Sequence, residues 1–230
     1  MIRNYSEFCA ELLKAGFSGA IGGKDDGLFG LFRYGWGAED ESALYWHTGD
    51  PDTDPWVWRI RVLEERNDIA YSKVFFRKAG YITREWYPYF LAARRNGKTF
   101  DEIYAEGTIS QYAKRIYKVL QGYGALPLHV IKTFGGFGKE DKSRFDSALT
   151  ELQMNLFITM CGQQQKISQK GEEYGWASTV FCTVEQFWPP EVIEKSLEIT
   201  QREAEEAITA QIYKLNPKAD GKRLKKFIYA

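Results

Sequence analysis

The most regular spacing of apolar and polar residues lies between residues 108 and 188. A first helix is predicted by apolar side chains spaced i, i+3, i+4, i+7, which are Ala113, Ile116, Tyr117 and Leu120. Gly122 and Gly124 close this helix, and Pro127 opens a short second helix over residues 128–134. The glycines within residues 135–138 end the second helix.

A third helix and two strands follow in the same segment. An apolar stripe predicts the helix over residues 139–156 and leaves four side chains facing outward, which are Ser143, Arg144, Ser147 and Glu151. Apolar runs at residues 157–161 and 176–184 predict a β-hairpin, and its polar turn carries Lys166 and Lys170. Three helices followed by a hairpin are typical of a winged helix-turn-helix. In that motif the third helix enters the major groove of DNA and the hairpin tip meets the backbone.

The first hundred residues predict a mixed domain that is rich in aromatic side chains. Asp54 caps and Pro55 opens a predicted helix to about Arg66, although the alternation of residues 56–62 also fits a strand. The other predicted elements are a helix from Ser6 to Gly16, loops and short strands over 16–37, a strand over 69–76 with a turn at Gly80, and a helix over 84–95 capped by Thr83.

The C-terminal residues predict two further helices. Residues 191–197 have a helical pattern, and Thr200 with Glu203 forms a capping box for a long helix that ends before Pro217. The residues after 217 are predicted to form a basic, partly ordered tail. The chain is therefore predicted to be α+β, with a mixed domain over 1–100, a winged helix over 101–188, and C-terminal helices with a basic tail over 189–230.

Charge is balanced overall but not along the chain. The 230 residues contain 31 basic and 31 acidic side chains, which excludes a strongly basic nucleic-acid binder. Residues 51–100 nevertheless hold ten basic against six acidic side chains. The predicted third helix has a net charge of −1, so phosphate attraction there needs help from the hairpin and the tail. We expect that help from Lys166, Lys170, Lys222 and Lys225.

Residue types that carry metal or covalent chemistry are sparse. Three dispersed cysteines and two histidines give no zinc-ligand spacing, and Pro55 and Arg61 stand where a calcium loop over residues 50–61 needs glycine and glutamate. We expect no metal, no cofactor and no assignable catalytic set. The opening residues lack an apolar signal core, and no uncharged apolar run approaches the length of a membrane span. A cytoplasmic protein without a membrane partner is expected.

The aromatic residues allow two interpretations. Aromatic side chains make up 16% of the chain, and five tryptophans fall in the first hundred residues, at positions 36, 46, 56, 58 and 86. Tryptophans beside arginines can stack an unpaired nucleobase. They can equally form the core of a small domain, because each buries a large area, and we favour this second interpretation.

Parts of residues 108–188 resemble the winged-helix units of the AlkZ/YcaQ family of bacterial DNA glycosylases, and the AlkZ-related branch most of all. The resemblance rests on Leu126-Pro127-Leu128, on Phe145 to Leu152, on Tyr174-Gly175-Trp176 and on Glu185 to Trp188. Residues 54–59 are similar to an aspartate–proline–tryptophan–arginine stretch of the family. The resemblance implies tandem winged helices that remove alkylated or crosslinked bases from DNA.

The catalytic signature of that family is Gln-x-Asp or Gln-x-Gln. Gln163 and Gln165 fit it literally, but the family has its pair earlier in the chain, so a solvated hairpin strand is the favoured interpretation here. The resulting hypothesis is a DNA-associated winged-helix protein, in DNA repair or DNA-structure recognition, with Ser143, Arg144 and Ser147 facing a groove of duplex DNA. The alternatives are a protein-interaction or regulatory module that binds no nucleic acid, and an enzyme with an aromatic pocket.

Overall fold

The computed structural model describes residues 2–19, 47–168 and 170–229. Helices and antiparallel strands alternate along these residues, which confirms the predicted α+β class. The elements of the first hundred residues are α1 (Tyr5–Ala15), β1 (Phe17–Ser18), α2 (Pro55–Glu65), β2 (Ile69–Phe75), β3 (Lys78–Thr83) and α3 (Tyr87–Arg95). The predicted loops and strands of residues 16–37 lie outside the described residues from position 20 onward.

Capping side chains set where the first two helices begin. Asn4 caps α1 by accepting a hydrogen bond from the backbone N–H of Glu7, so this helix begins before the predicted Ser6. Asp54 caps α2 as predicted, at 2.8 Å from the backbone nitrogen of Trp56, and Pro55 occupies the first turn. The α2 segment is therefore a helix and not the competing strand.

The turn between β2 and β3 lies at Phe76 and Arg77, and the prediction of a turn at Gly80 is wrong. Both residues have positive φ, 50° and 61°, which is the conformation that two-residue hairpins usually reserve for Asn-Gly. Gly80 instead lies within β3, where a Cβ atom would come within 2.5 Å of the Phe75 ring and 2.8 Å of the Ser18 carbonyl oxygen. The glycine allows a close approach inside the sheet, and two bulky residues make the turn.

The middle of the chain follows the predicted order closely. Its elements are α4 (Phe100–Ala105), α5 (Gln111–Tyr123), β4 (Leu126–Pro127), α6 (Leu128–Phe134), α7 (Lys142–Met154), β5 (Ile158–Ile167) and β6 (Glu173–Thr183). The strands β5 and β6 form an antiparallel hairpin, and β4 pairs with β6 through Leu126 opposite Phe181. A buried core beneath this hairpin joins α5, α6 and α7 around Ile116, Phe145 and Phe157.

The described strands form one antiparallel sheet in the order β1-β3-β2-β5-β6-β4. The two halves of the sheet meet where Tyr71 of β2 pairs with Met160 of β5. Tyr71 packs with Trp58 of α2, whereas the next residue, Ser72, donates a hydrogen bond of 2.8 Å to Gln153 of α7. Successive strand residues point to opposite faces, so α2 and α7 cover opposite faces of the sheet.

The remaining helices are α8 (Val184–Phe187), α9 (Pro190–Leu197), α10 (Gln201–Leu215) and α11 (Gly221–Tyr229). The predicted capping box of Thr200 and Glu203 is present at the start of α10. The prediction of a partly ordered tail after residue 217 is wrong for residues 221–229, because Leu224, Phe227 and Ile228 of α11 are buried in a core with α3, α9 and α10. Its apolar spacing i, i+3, i+4 is helical, although its charge suggested a tail.

The side chain of Arg94 ties three helices together. Its guanidinium donates to the carbonyl oxygens of Met154 at the end of α7, and of Phe227 and Ile228 at the end of α11, at 2.6, 2.9 and 2.8 Å. Carbonyls at a helix C-terminus lack partners inside the helix, so a cation from α3 satisfies them well. Arg94 therefore fixes the position of α7 relative to α11.

No helix in the described ranges is long and apolar enough to cross a membrane. The predicted division at residues 100 and 188 stays a prediction, and the sheet runs continuously across the first of these positions.

Candidate nucleic-acid interface

The N-terminal half of α7 is the exposed part of this helix. Ser143, Arg144 and Ser147 are exposed, together with Lys142 and Asp146, while Phe145 and the residues from Ala148 to Leu152 point largely into the core. The exposed face is therefore short, and it lies at the end of the helix where backbone N–H groups and the helix dipole favour anions.

A groove of about 620 Å³ runs beside this exposed face, and we name it the α7 groove. Four elements line it: α7, the β2–β3 turn, α11 and the start of α5. Its basic side chains are Arg77 of the turn, Arg144 of α7 and Lys226 of α11. The groove also contains Ser147, Tyr112 and Ser110, and its carboxylate is that of Glu151.

Arg144 belongs to a chain of hydrogen bonds with Tyr112 and Asp141. The Arg144 guanidinium donates to the Tyr112 hydroxyl at 3.2 Å, and that hydroxyl donates to the Asp141 carboxylate at 2.7 Å. The backbone N–H of Gly138 also donates to Asp141, at 3.0 Å. The bond from Tyr112 is the main reason why the pKa of Asp141 lies below its ordinary value. This carboxylate thus takes its hydrogen bonds from Tyr112 and Gly138, and the side chain of Arg144 stays exposed.

The other groove residues are also held by neighbours. Arg77 reaches the Ser147 hydroxyl at 3.4 Å, and its backbone N–H meets the sulfur of Met154 at 3.3 Å. Glu151 accepts bonds from the hydroxyl and the backbone N–H of Ser110, at 2.6 and 3.2 Å. The carboxylates of Asp141 and Glu151 therefore already accept hydrogen bonds. Arg77 and Lys226 add positive charge to the groove from outside α7.

The predicted DNA-facing residues fall into three places. Arg144 and Ser147 line the α7 groove, with Ser143 exposed on the same end of the helix. Lys166 lies near the end of β5 and Lys170 in the hairpin turn, so neither is among the groove residues. Lys222 and Lys225 are exposed on α11, and Lys222 lies one turn before the groove residue Lys226.

Sequence reasoning missed Arg77, Tyr112 and Lys226. Arg77 was counted within the basic stretch 51–100 but had no assigned place, because the turn was expected at Gly80. Lys226 belongs to the same basic segment as Lys222 and Lys225, and prediction of a tail there gave no face that would distinguish it from them. The helical spacing of Leu224, Phe227 and Ile228 was the signal that would have put Lys226 on an exposed helix face.

The remaining candidates for chemistry lie apart from the α7 groove. Gln163, Gln164 and Gln165 are consecutive residues of β5, and the side chain of Gln165 donates to the carbonyl of Gly175 at 3.0 Å. His129 lies in α6, and His47 contacts the ring of Trp56 with 4.9 Å between ring centroids. Across the described residues, no three histidine, cysteine or acidic side chains are grouped as metal ligands.

Cys161 and Cys182 lie side by side on β5 and β6. The hydrogen bond between their thiols, followed by burial, raises the pKa of Cys182 well above its ordinary value, while the same bond lowers that of Cys161. Cys9 and Cys182 are buried, as expected for small core residues, and Cys161 is half-buried.

Comparisons with known proteins give one family. A family model described as "AlkZ related" matches residues 2–229, which is nearly the whole chain. Neither the curated proteins nor the solved structures give a match.

Proposed function

The chain belongs to the AlkZ-related family, and on this premise we propose that it is a DNA-associated winged-helix protein whose α7 groove contacts duplex DNA. The winged helix would lie within residues 101–188. Its support is the element order α5, β4, α6, α7, β5, β6, together with the pairing of the short β4 to the second hairpin strand β6. In a winged helix the helix before the hairpin is the one that reads DNA, and here that helix is α7.

The observation that carries the proposal is the convergence of Arg77, Arg144 and Lys226 on the exposed half of α7. Each comes from a different element, and Arg77 and Lys226 add two positive charges to a helix, α7, whose own charges balance. Cations placed this way suit a phosphate backbone, because its negative charges are spaced regularly along the duplex. Ser143 and Ser147 are short donors that would fit between the helix and the DNA.

The salt dependence of duplex binding tests this proposal. Three phosphate contacts give a slope of about −2.7 in log K against log salt, which is a loss of about 40-fold between 50 and 200 mM salt. The triple variant Arg77→Gln, Arg144→Gln, Lys226→Gln should bind weakly and lose most of that slope. Fluorescence anisotropy with a labelled duplex measures both quantities.

A control variant carries the same charge change elsewhere. Lys14, Arg202 and Lys214 are exposed residues of α1 and α10, and their replacement by glutamine also removes three positive charges. This control should bind duplex DNA like the wild type. Equal losses in both triple variants would contradict a specific α7 groove, and no binding at either salt concentration would favour the protein-interaction alternative.

A role in DNA repair or DNA-structure recognition is the finer part of the proposal, and it rests on family membership. Release of alkylated bases from duplex DNA by the wild-type chain tests it directly. Comparison with the double variant Gln163→Ala, Gln165→Ala shows whether these glutamines take part. Base release that survives in the double variant would leave them as residues of the hairpin strand.

A further inference from the structure

A second groove lies on the α2 face of the sheet, opposite α7. Its volume is about 900 Å³, and it lies between α2 and the β5–β6 hairpin. Trp56, Arg59 and Arg61 line it from α2, and Gln163 and Trp176 line it from the hairpin. We name it the tryptophan groove.

Trp176 presents almost its whole side chain to solvent. Its relative exposure is 90%, compared with 1% for Trp58, which is packed in the core of the same α2 face. Tryptophan is costly to leave exposed because of its large apolar area. A rigid indole held on a β-strand at the mouth of a groove is therefore a ready surface for a planar ligand.

Arg59 places a positive charge in the same groove. Its guanidinium lies 3.5 Å from the centroid of the Trp56 ring, and its Nε donates to the Trp56 carbonyl at 2.8 Å. In the described part of the chain Arg59 has no carboxylate within ion-pair distance, whereas Arg61 is paired with Glu65 at 2.7 Å. The Arg59 charge is therefore held in position without an ion pair. The carboxylates of the groove are those of Glu64 and Glu65, and Arg61 engages Glu65.

Gln163 adds a hydrogen-bonding group to the groove. Its side chain is exposed on β5, opposite Thr179 of β6. A primary amide both donates and accepts, as the edges of nucleobases do. Single-strand binding sites combine an aromatic stacking surface with cations that meet the backbone, and the amide of Gln163 adds a hydrogen-bonding group to these two.

We propose that the tryptophan groove binds an unpaired base of single-stranded nucleic acid. The base stacks on Trp176, Gln163 hydrogen-bonds to its edge, and Arg59 meets an adjacent phosphate. Lys166 and Lys170 lie farther along the same hairpin, where they would meet the phosphates of neighbouring nucleotides. This inference is independent of the duplex contact proposed for the α7 groove, because the two grooves lie on opposite faces.

Binding of a labelled twelve-nucleotide oligo(dT) tests the inference against an abasic oligomer of the same length and charge. Stacking predicts that the wild type prefers oligo(dT) by about tenfold, and that Trp176→Ala loses this preference while Trp176→Phe keeps most of it. Ile167→Ala is the matched control, because Ile167 is an exposed apolar residue of the same hairpin that does not line the groove. It should behave as the wild type.

Three outcomes would overturn the inference: equal binding of both oligomers, a Trp176→Ala variant that retains the preference, or no binding to oligo(dT). Competition with free thymidine monophosphate separates a site for a strand from a site for a mononucleotide. Displacement of oligo(dT) by the monophosphate at equal nucleotide concentration would contradict a site for a strand. Duplex binding measured on the same Trp176→Ala sample should be unchanged. Failure of the wild type to bind duplex DNA would count against the α7 groove and leave the tryptophan groove standing.

Discussion

The two faces of the sheet carry grooves of opposite character. The α7 groove collects Arg77, Arg144 and Lys226 around serine and tyrosine hydroxyls, whereas the tryptophan groove presents indole surface with a glutamine and a stacked arginine. Charge attracts phosphates in general, and exposed aromatic rings attract bases. The first groove should therefore respond strongly to salt, while the base preference of the second should respond little.

The grooves also differ in how the chain builds them. The tryptophan groove takes its main residues from one helix and one hairpin, which pack together directly on the α2 face. The α7 groove depends on four elements: α7 and α11, which Arg94 joins, the β2–β3 turn, which contacts the end of α7, and the start of α5. Changes in the supporting structure should accordingly damage the α7 groove first.

Replacement of Arg94 should have the largest effect, because it removes support from the α7 groove and leaves the tryptophan groove intact. Arg94→Leu leaves three carbonyl oxygens at the ends of α7 and α11 without their donor, and we expect it to lower the free energy of unfolding by about 3 kcal/mol. Chemical denaturation measures this loss. Duplex binding should weaken in the folded variant, while its preference for oligo(dT) over the abasic oligomer should persist.

Arg202→Leu is the matched control, because Arg202 is an exposed residue whose side chain is 85% accessible. It should change stability by less than about 0.5 kcal/mol. A stability of Arg94→Leu equal to that of the control would show that the three carbonyls do not need the guanidinium.

Arg77→Gly separates binding from stability at a single position. Arg77 has a φ of 61°, which glycine adopts without strain, so the substitution should leave stability unchanged or raise it by up to about 1 kcal/mol. Loss of one phosphate contact should weaken duplex binding by about fivefold and reduce the salt slope by about 0.9. Thermal unfolding and anisotropy on the same sample check both effects.

Arg77→Lys keeps the charge in the same turn and should retain most of the duplex affinity. If Arg77→Gly bound duplex DNA as tightly as the wild type, the β2–β3 turn would have no part in the α7 groove.

The smallest expected effect concerns Asp141 and pH. Its pKa lies below the ordinary 3.8 because Tyr112 and the backbone of Gly138 donate to the carboxylate. The stability it contributes is therefore present above the unfolded-state value and is lost as pH falls through the lower, folded-state value. The wild type should be more stable than Asp141→Asn at pH 7, and the difference should shrink toward pH 3.

Thermal unfolding across this pH range measures the difference, with Asp146→Asn as the control. Asp146 is an exposed residue of the same helix and has no hydrogen-bond partner for its carboxylate within the described chain. A difference for Asp141→Asn that stays constant from pH 7 to pH 3 would contradict the hydrogen-bonded carboxylate.

Local signals in the sequence were sufficient for much of the fold. Pro127 and the glycines after Phe134 bound α6 as predicted, and the Thr200–Glu203 capping box starts α10. These elements are determined by residues close to one another in the chain. The β2–β3 turn was misplaced because its conformation at Phe76 and Arg77 is one that turn-forming residue types usually supply, and neither residue belongs to them.

The candidate sites were predicted less completely, because they depend on long-range packing. Arg144 and Ser147 follow from the apolar stripe of α7, but nothing near them in sequence indicates Arg77 or Lys226. Of the two interpretations of the aromatic residues, each fits a different tryptophan in the structure. Trp58 is a core residue as favoured, while Trp56 lies exposed beside Arg59 in the way the base-stacking alternative described. Trp36 and Trp46 lie outside the described residues.

The contacts of Arg94 also bear on when the α7 groove can form during synthesis. Its carbonyl partners lie 60, 133 and 134 positions further along the chain. A ribosome adding about 5–20 residues per second therefore leaves α7 without its neighbour for several seconds after α7 itself has been made. In the later part of that interval the nascent chain has the hairpin and α2 but not yet Lys226, so the residues of the tryptophan groove are all made before those of the α7 groove are complete.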